Sequence, residues 1–145
     1  MKLFSLALVI VTLAGAATGA DAGDADVVTR TLSAEGGGRY TDVNVAGLAR
    51  MLAKKKFPLI NVHSPYEGEL EGTDLFIPFD QIEAHVSRLP ADKRATIVLY
   101  CRSGAMSATS ARTLVRLGYA DVWNLDGGMI AWQHAGKPLV QKNRK

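Results

Sequence analysis

The sequence predicts an α/β fold: a central, mostly parallel sheet of about five strands with helices on both faces. Three observations predict it. Apolar, β-branched runs at 59–63 and 96–100 read as buried strands. Strand-like runs alternate with segments of helical period along most of the chain. The 145 residues suit one domain with a single core.

The chain opens with Met1-Lys2, an apolar run at 3–14 and then small residues, which reads as a signal peptide over 1–22. Ala20-Asp21-Ala22 offers an A-x-A cleavage site and Thr18-Gly19-Ala20 an alternative. The run is short for a membrane span, and no other stretch is long and apolar enough. Export is therefore expected, in a bacterium to the periplasm, with no stable membrane insertion after cleavage; an uncleaved anchor is the competing expectation. Residues 23–39, rich in Gly, Ala, Asp and Thr, read as a flexible spacer with a short extended piece at Val27-Val28-Thr29.

The domain is expected over 40–140. Residues 40–43 form a short first strand, and Asn44 caps a helix over 45–55 with Leu48, Met51 and Leu52 on one face. Phe57-Pro58 breaks that helix before the strand at 59–63. A polar loop over 64–73 leads to a short strand at 76–78, ended by Pro78. Asp80 caps a helix through Leu89, with Ile82, His85 or Val86, and Leu89 facing inward. After a turn at 90–92 comes the central strand 96–100, then a helix over 107–117 closed by Gly118. Its inward face carries Ala108, Ala111, Leu114 and Val115, small enough at the start to lie close to the sheet. A strand at 120–125, the turn Asp126-Gly127-Gly128 and a helix over 129–134 complete the domain, followed by a basic tail at 141–145.

Apolar content of 48% and charged content of 21% are those of a soluble globular protein. The formal charge of +3 gathers in Lys54-Lys55-Lys56 and in Lys142, Arg144 and Lys145. Two short clusters so far apart read as solvated surface rather than a nucleic-acid stripe, with modest attraction for small anions. A single cysteine excludes an internal disulfide, and in an exported chain it is either buried or used.

That cysteine lies in Tyr100-Cys101-Arg102-Ser103-Gly104-Ala105-Met106-Ser107, where a strand ends and a helix begins. Sites in open parallel sheets lie at the carboxyl ends of strands. A helix N-terminus there carries roughly half a positive charge, which lowers a cysteine pKa and favours the nucleophilic thiolate. Inert packing is the plain alternative for a lone cysteine. Arg102, Ser103 and Gly104 would be a poor core sequence, which favours chemistry.

Three segments resemble the rhodanese (thiosulfate sulfurtransferase) family. Ile97-Val98-Leu99-Tyr100-Cys101-Arg102-Ser103-Gly104 is similar to the C-R-S-G-x-R-S/A loop. Leu125-Asp126-Gly127-Gly128-Met129-Ile130-Ala131-Trp132 is similar to L-x-G-G-x-x-A-W, and Asn61-Val62-His63-Ser64-Pro65-Tyr66-Glu67 more weakly to D-V-R-x-x-x-E. The resemblance covers about Tyr40 to Val140 and implies a rhodanese-like fold and sulfurtransferase activity. It implies that Cys101 takes sulfane sulfur from a donor such as thiosulfate, becomes a persulfide and passes the sulfur to cyanide or a thiol. Substrate would be bound by Arg102, Ser103, Gly104, Ala105, Met106 and Ser107, with the amides of Arg102 to Met106 cradling charged sulfur. Gly104 suits a ring-like loop that needs positive φ. Arg102 either pairs with an anionic donor or is an exposed loop charge. Ser103 and Ser107 can donate to the sulfur, and Ser107 can instead cap the helix. Trp132 is expected to cap the core with its ring.

No cofactor or metal is implied. The expected partners are small sulfur-containing anions or thiols and a periplasmic protein acceptor. Met106 stands where many rhodaneses carry a second arginine, and Asn61 and His63 replace the D and R of D-V-R. A thioether cannot grip an oxyanion as a guanidinium does, so weak thiosulfate turnover is expected, with altered hydrogen bonding behind the loop. A non-catalytic persulfide or soft-metal carrier is the alternative, since Cys101 and Met106 suit copper(I). A phosphatase would need an arginine at the loop end, where Met106 and Ser107 stand.

Overall fold

The computed structural model describes residues 25–144. The expected signal peptide at 1–22 lies outside the described residues, as do residues 23 and 24. Six strands form one sheet: β1 (Thr29–Ser33), β2 (Arg39–Val43), β3 (Leu59–Asn61), β4 (Leu75–Phe76), β5 (Thr96–Tyr100) and β6 (Asp121–Leu125). Their order is β1-β2-β6-β5-β3-β4, parallel throughout except for the antiparallel β1–β2 pair. Three helices cover it: α1 (Val45–Ala53), α2 (Ala105–Arg116) and α3 (Gly128–His134). The mostly parallel α/β sheet is thus as expected, with one strand more. No helix among the described residues is long and apolar enough to cross a membrane.

The period-2 alternation of β5 sorts the core into two layers. Ile97, Leu99 and Cys101 face the layer that holds Ala111 and Leu114 of α2. Val98 and Tyr100 face Leu48 of α1 and Met129 and Trp132 of α3. Leu99, Leu114 and Leu48 are fully buried, and each such side chain contributes about 2 kcal/mol over an exposed one. Cys101, next in the alternation, therefore turns its side chain toward α2. Trp132 caps its layer as expected, its indole Nε1–H donating to the Pro138 carbonyl at 3.2 Å.

Four expectations change. The spacer gives way over Thr29–Ser33 to β1, whose Arg30 pairs with the buried Asp42 at 2.8 Å. Asn124 Nδ2 donates to the other Asp42 oxygen at 2.8 Å, which ties β1, β2 and β6 together. The helix expected from Asp80 is a 3₁₀ segment, Glu83–Arg88, kinked at His85, with Ile82 and not Asp80 at its cap. Ile82 and Leu89 alone anchor it, while Val86 is exposed, and so short an apolar face does not enforce full α-helical turns. The strand expected at 76–78 is Leu75–Phe76. Two of the tail's basic residues are docked rather than solvated: Arg144 grips the fully buried Glu69 through two 2.8 Å bonds, and Lys142 Nζ lies 3.2 Å from it.

Candidate active site

The last residue of β5 is Tyr100, and its neighbour β3 ends at Asn61 in register with it. Cys101 and His63 thus leave the sheet at the same edge, joined by the turn after β6. Gly104, at φ +100, is the N-cap of α2, a conformation that L side chains rarely adopt. This left-handed step folds the chain back over the thiol. The Gly104 amide donates to Cys101 Sγ at 3.1 Å, and the buried Ser107 hydroxyl lies 3.4 Å from the same sulfur. The Ser107 hydroxyl also lies 3.2 Å from the Gly104 carbonyl.

The carbonyls of Cys101 and Arg102 are turned the other way. They accept from the amides of Met129 and Ile130, in the first turn of α3, at 2.9 and 3.0 Å. This contact needs Gly128: at φ +57, a Cβ there would lie 2.4 Å from the Cys101 oxygen and 2.6 Å from the Arg102 oxygen. The second glycine of the Gly127-Gly128 pair is therefore where α3 closes on the cysteine loop. Sequence reasoning placed a turn there but gave it no part in the site. Two glycines spaced far from the thiol carry no local signal of that contact.

Each predicted loop residue has a definite place. Cys101 is only 1% exposed, yet its sulfur is met by polar donors rather than hydrocarbon alone. Ser107 lies inside the first turn of α2, so it faces the sulfur and does not cap the helix. Ser103 is exposed, and the hydroxyl within reach of Sγ is that of Ser107. The amide on Sγ is Gly104's, a narrower cradle than the run from Arg102 to Met106. Ala105 is exposed at the start of α2, and Met106 packs against the core layer on the α2 side.

Arg102 is more than half exposed and is paired: its Nη1 donates to Glu67 Oε2 at 2.8 Å. His63 Nε2 lies 2.6 Å from the same oxygen. A carboxylate only accepts, so Nε2 carries the proton. Arg102 first, then His63, hold the Glu67 carboxyl below its ordinary pKa. His63 is itself fixed, its main-chain amide donating to Asn61 Oδ1 at 3.0 Å while Asn61 Nδ2 donates to the Gly68 carbonyl at 3.0 Å. His63 Nδ1 is buried without a partner. Asn61 and His63 thus carry the hydrogen bonding behind the loop, and Glu67 joins it to the cysteine loop.

Loop 64–74 is anchored at two further points. The Tyr100 phenol, held up in pKa by burial, accepts from the Leu70 amide at 3.0 Å and shares a 2.6 Å bond with Thr73. At the other side, Glu69 and Val140 exchange main-chain bonds at 2.9 and 2.8 Å, and the Lys142 amide donates to the Tyr66 hydroxyl.

A thiol met by an amide and a hydroxyl, just past the central strand of a mostly parallel sheet, defines a cysteine-loop α/β protein. The family model of the rhodanese-like domain matches residues 45–135, more than half of the chain, and the protein belongs to the rhodanese-like family. A sulfurtransferase of Allochromatium vinosum is 42% identical over 66 residues, covering 46% of this chain and 60% of that protein. The probable adenylyltransferase/sulfurtransferase MoeZ of Mycobacterium tuberculosis is 34% identical over 89 residues, covering 58% of this chain. The match spans 22% of that longer relative, so this chain corresponds to one part of it. Among solved structures, a rhodanese-like domain protein of Staphylococcus aureus aligns with a TM-score of 0.59 at 26% identity, over 70% of this chain and 98% of that one. Both named relatives are described as sulfurtransferases, and the match spans less than two thirds of the length of either.

Proposed function

We propose that this protein is a sulfurtransferase that carries sulfane sulfur as a persulfide on Cys101. The observation that carries this reading is the pair of donors on Sγ, the Gly104 amide and the Ser107 hydroxyl. Both stabilise negative charge on sulfur before and after transfer, in a site already shaped for it.

With thiosulfate, the Cys101 thiolate attacks the outer sulfur. The new S–S bond forms as the bond to the sulfonate breaks, and sulfite leaves with the electron pair. An organic persulfide reacts in the same way and releases its thiolate. In the second half, an acceptor thiolate or cyanide attacks the outer sulfur of the Cys101 persulfide, and the Cys101 thiolate leaves. The loop amides from Arg102 to Met106 are proposed to cradle the outer sulfur, which extends past the donors already on Sγ. Because Cys101 is almost wholly covered, a slender terminal sulfur is favoured over a bulky electrophile.

The basic and apolar start of the chain supports export, with a periplasmic protein thiol as an acceptor besides small thiols. N-terminal sequencing of the protein recovered from a bacterial periplasm tests this, and an intact Met1 on a cytoplasmic product would contradict it. For the chemistry, the test is a sulfur-transfer assay with thiosulfate and an organic persulfide as donors and cyanide and small thiols as acceptors. The wild type transfers sulfur from at least one donor and Cys101→Ser from none. Equal turnover by the two proteins would overturn the assignment.

A further inference from the structure

We propose that Glu67 selects the donor class of the Cys101 site, holding the charge of Arg102 so that the loop favours an organic persulfide of low net charge over the thiosulfate dianion. The inference rests on the sulfur-transfer function proposed above and states which donor that site takes.

Arg102 is the one cation in the stretch from Cys101 to Ser107. A dianion arriving at Sγ needs positive charge to meet it, and a guanidinium is the side chain best shaped for an oxyanion. Here Arg102 Nη1 is already 2.8 Å from Glu67 Oε2. The carboxylate is a fixed partner rather than a passing one. His63 holds the same oxygen at 2.6 Å, and Asn61 in turn holds the His63 amide. Met106, in the next turn, offers a thioether packed on the core. The mouth of the site therefore presents one cation, already engaged by the Glu67 carboxylate.

The consequence differs between donors. Thiosulfate carries two negative charges to the loop and returns two on sulfite, so it meets no free guanidinium at any stage while Glu67 holds Arg102. Ionised cysteamine persulfide has an ammonium beside its persulfide and is close to neutral overall. Arg102 and Glu67 are both substantially exposed, so solvent screens the effect and the selection is a preference rather than an exclusion.

The test measures the second-order rate of Cys101 persulfidation by thiosulfate and by cysteamine persulfide, read by intact mass on the full chain. In Glu67→Gln the ratio of the thiosulfate rate to the persulfide rate rises about fivefold at low ionic strength. It rises further in Glu67→Lys, and the gain shrinks in high salt. In an Arg102→Gln background the gain from Glu67→Gln is smaller, because no guanidinium is released. An unchanged ratio in both Glu67 variants, with Cys101 still taking sulfur, overturns this inference alone. So does an equal gain with and without Arg102, which would mark direct repulsion rather than a held cation. Absence of persulfide from either donor overturns the sulfur-transfer function along with it.

Discussion

The loop around Cys101 and the loop over 64–74 meet at the Arg102–Glu67 pair but are held by different means. The first is held mainly through its backbone, with its carbonyls on the amides of α3 and its Gly104 amide on the sulfur. The second has a main-chain pair between Glu69 and Val140 but leans mainly on side chains: Asn61, Tyr100 and Thr73 on its inner side, and the Arg144–Glu69 pair on its outer side. Main-chain bonds have the same donors and acceptors whatever the residue, so the geometry at the sulfur depends on shape and on glycine. Side-chain bonds depend on the residue, and those of Arg144 and Lys142 to Glu69 on charge, so the outer loop answers to substitution, pH and salt. On the proposed function, chemistry sits on the part that charge cannot easily disturb, and selectivity on the part that it can.

Breaking the backbone-held side has the largest expected effect. Gly128→Ala places a Cβ against the Cys101 and Arg102 oxygens at positive φ, and is expected to cost about 3 kcal/mol. Urea unfolding measures that loss, and persulfidation of Cys101 is expected to fall by more than the unfolded fraction explains. Breaking the outer loop comes next. Arg144→Ala leaves Glu69 buried with only Lys142 as a cation, an expected loss of about 2 kcal/mol, below that of a wholly buried pair because the guanidinium is partly exposed. Urea midpoints check it, and Arg144→Lys recovers part of the loss. Ser107→Ala removes one donor from the sulfur together with its contact to the Gly104 carbonyl, and is expected to slow persulfidation about tenfold.

The smallest effect is the pH dependence of the outer loop. Burial pushes the Glu69 carboxyl up, but Arg144 and then Lys142 outweigh it, so its folded pKa lies below the ordinary range. A depressed carboxylate contributes stability above its unfolded pKa of about 4.3 and loses it as pH falls through the folded value. The gap in Tm between wild type and Arg144→Ala is therefore expected to be constant from neutral pH to about pH 5 and to narrow below about pH 4. A gap that widened in acid would mean that Glu69 is not the partner.

The comparison also explains what was legible in the sequence. The strand Thr96–Tyr100 and the loop after it are local: an apolar β-branched run followed by Arg102, Ser103 and Gly104 can be read without knowing the rest of the fold. Cys101, Gly104 and Ser107 were found that way. The outer loop depends on partners far along the chain, with Arg102 35 residues from Glu67 and Arg144 75 residues from Glu69. No period or spacing reveals such pairs. Hence Glu67 was visible as part of a motif but not as the clamp on Arg102, and the tail looked like solvated charge. β1 escaped because its side chains are mostly exposed and its order comes from pairing with β2. The sequence offers both Ser103 and Ser107 as hydroxyl donors; α2 starts at Ala105 rather than 107, which sets Ser107 inside its first turn against the sulfur and leaves Ser103 exposed ahead of the helix.

The central claim is that Cys101 receives and holds a sulfur atom. Intact mass spectrometry of the full chain, after incubation with thiosulfate or cysteamine persulfide and removal of excess donor, tests it most directly. The account predicts a gain of one sulfur atom, mapped to the peptide containing Cys101, lost on reduction and absent from Cys101→Ser. A folded wild-type protein that gains no sulfur from either donor would contradict it.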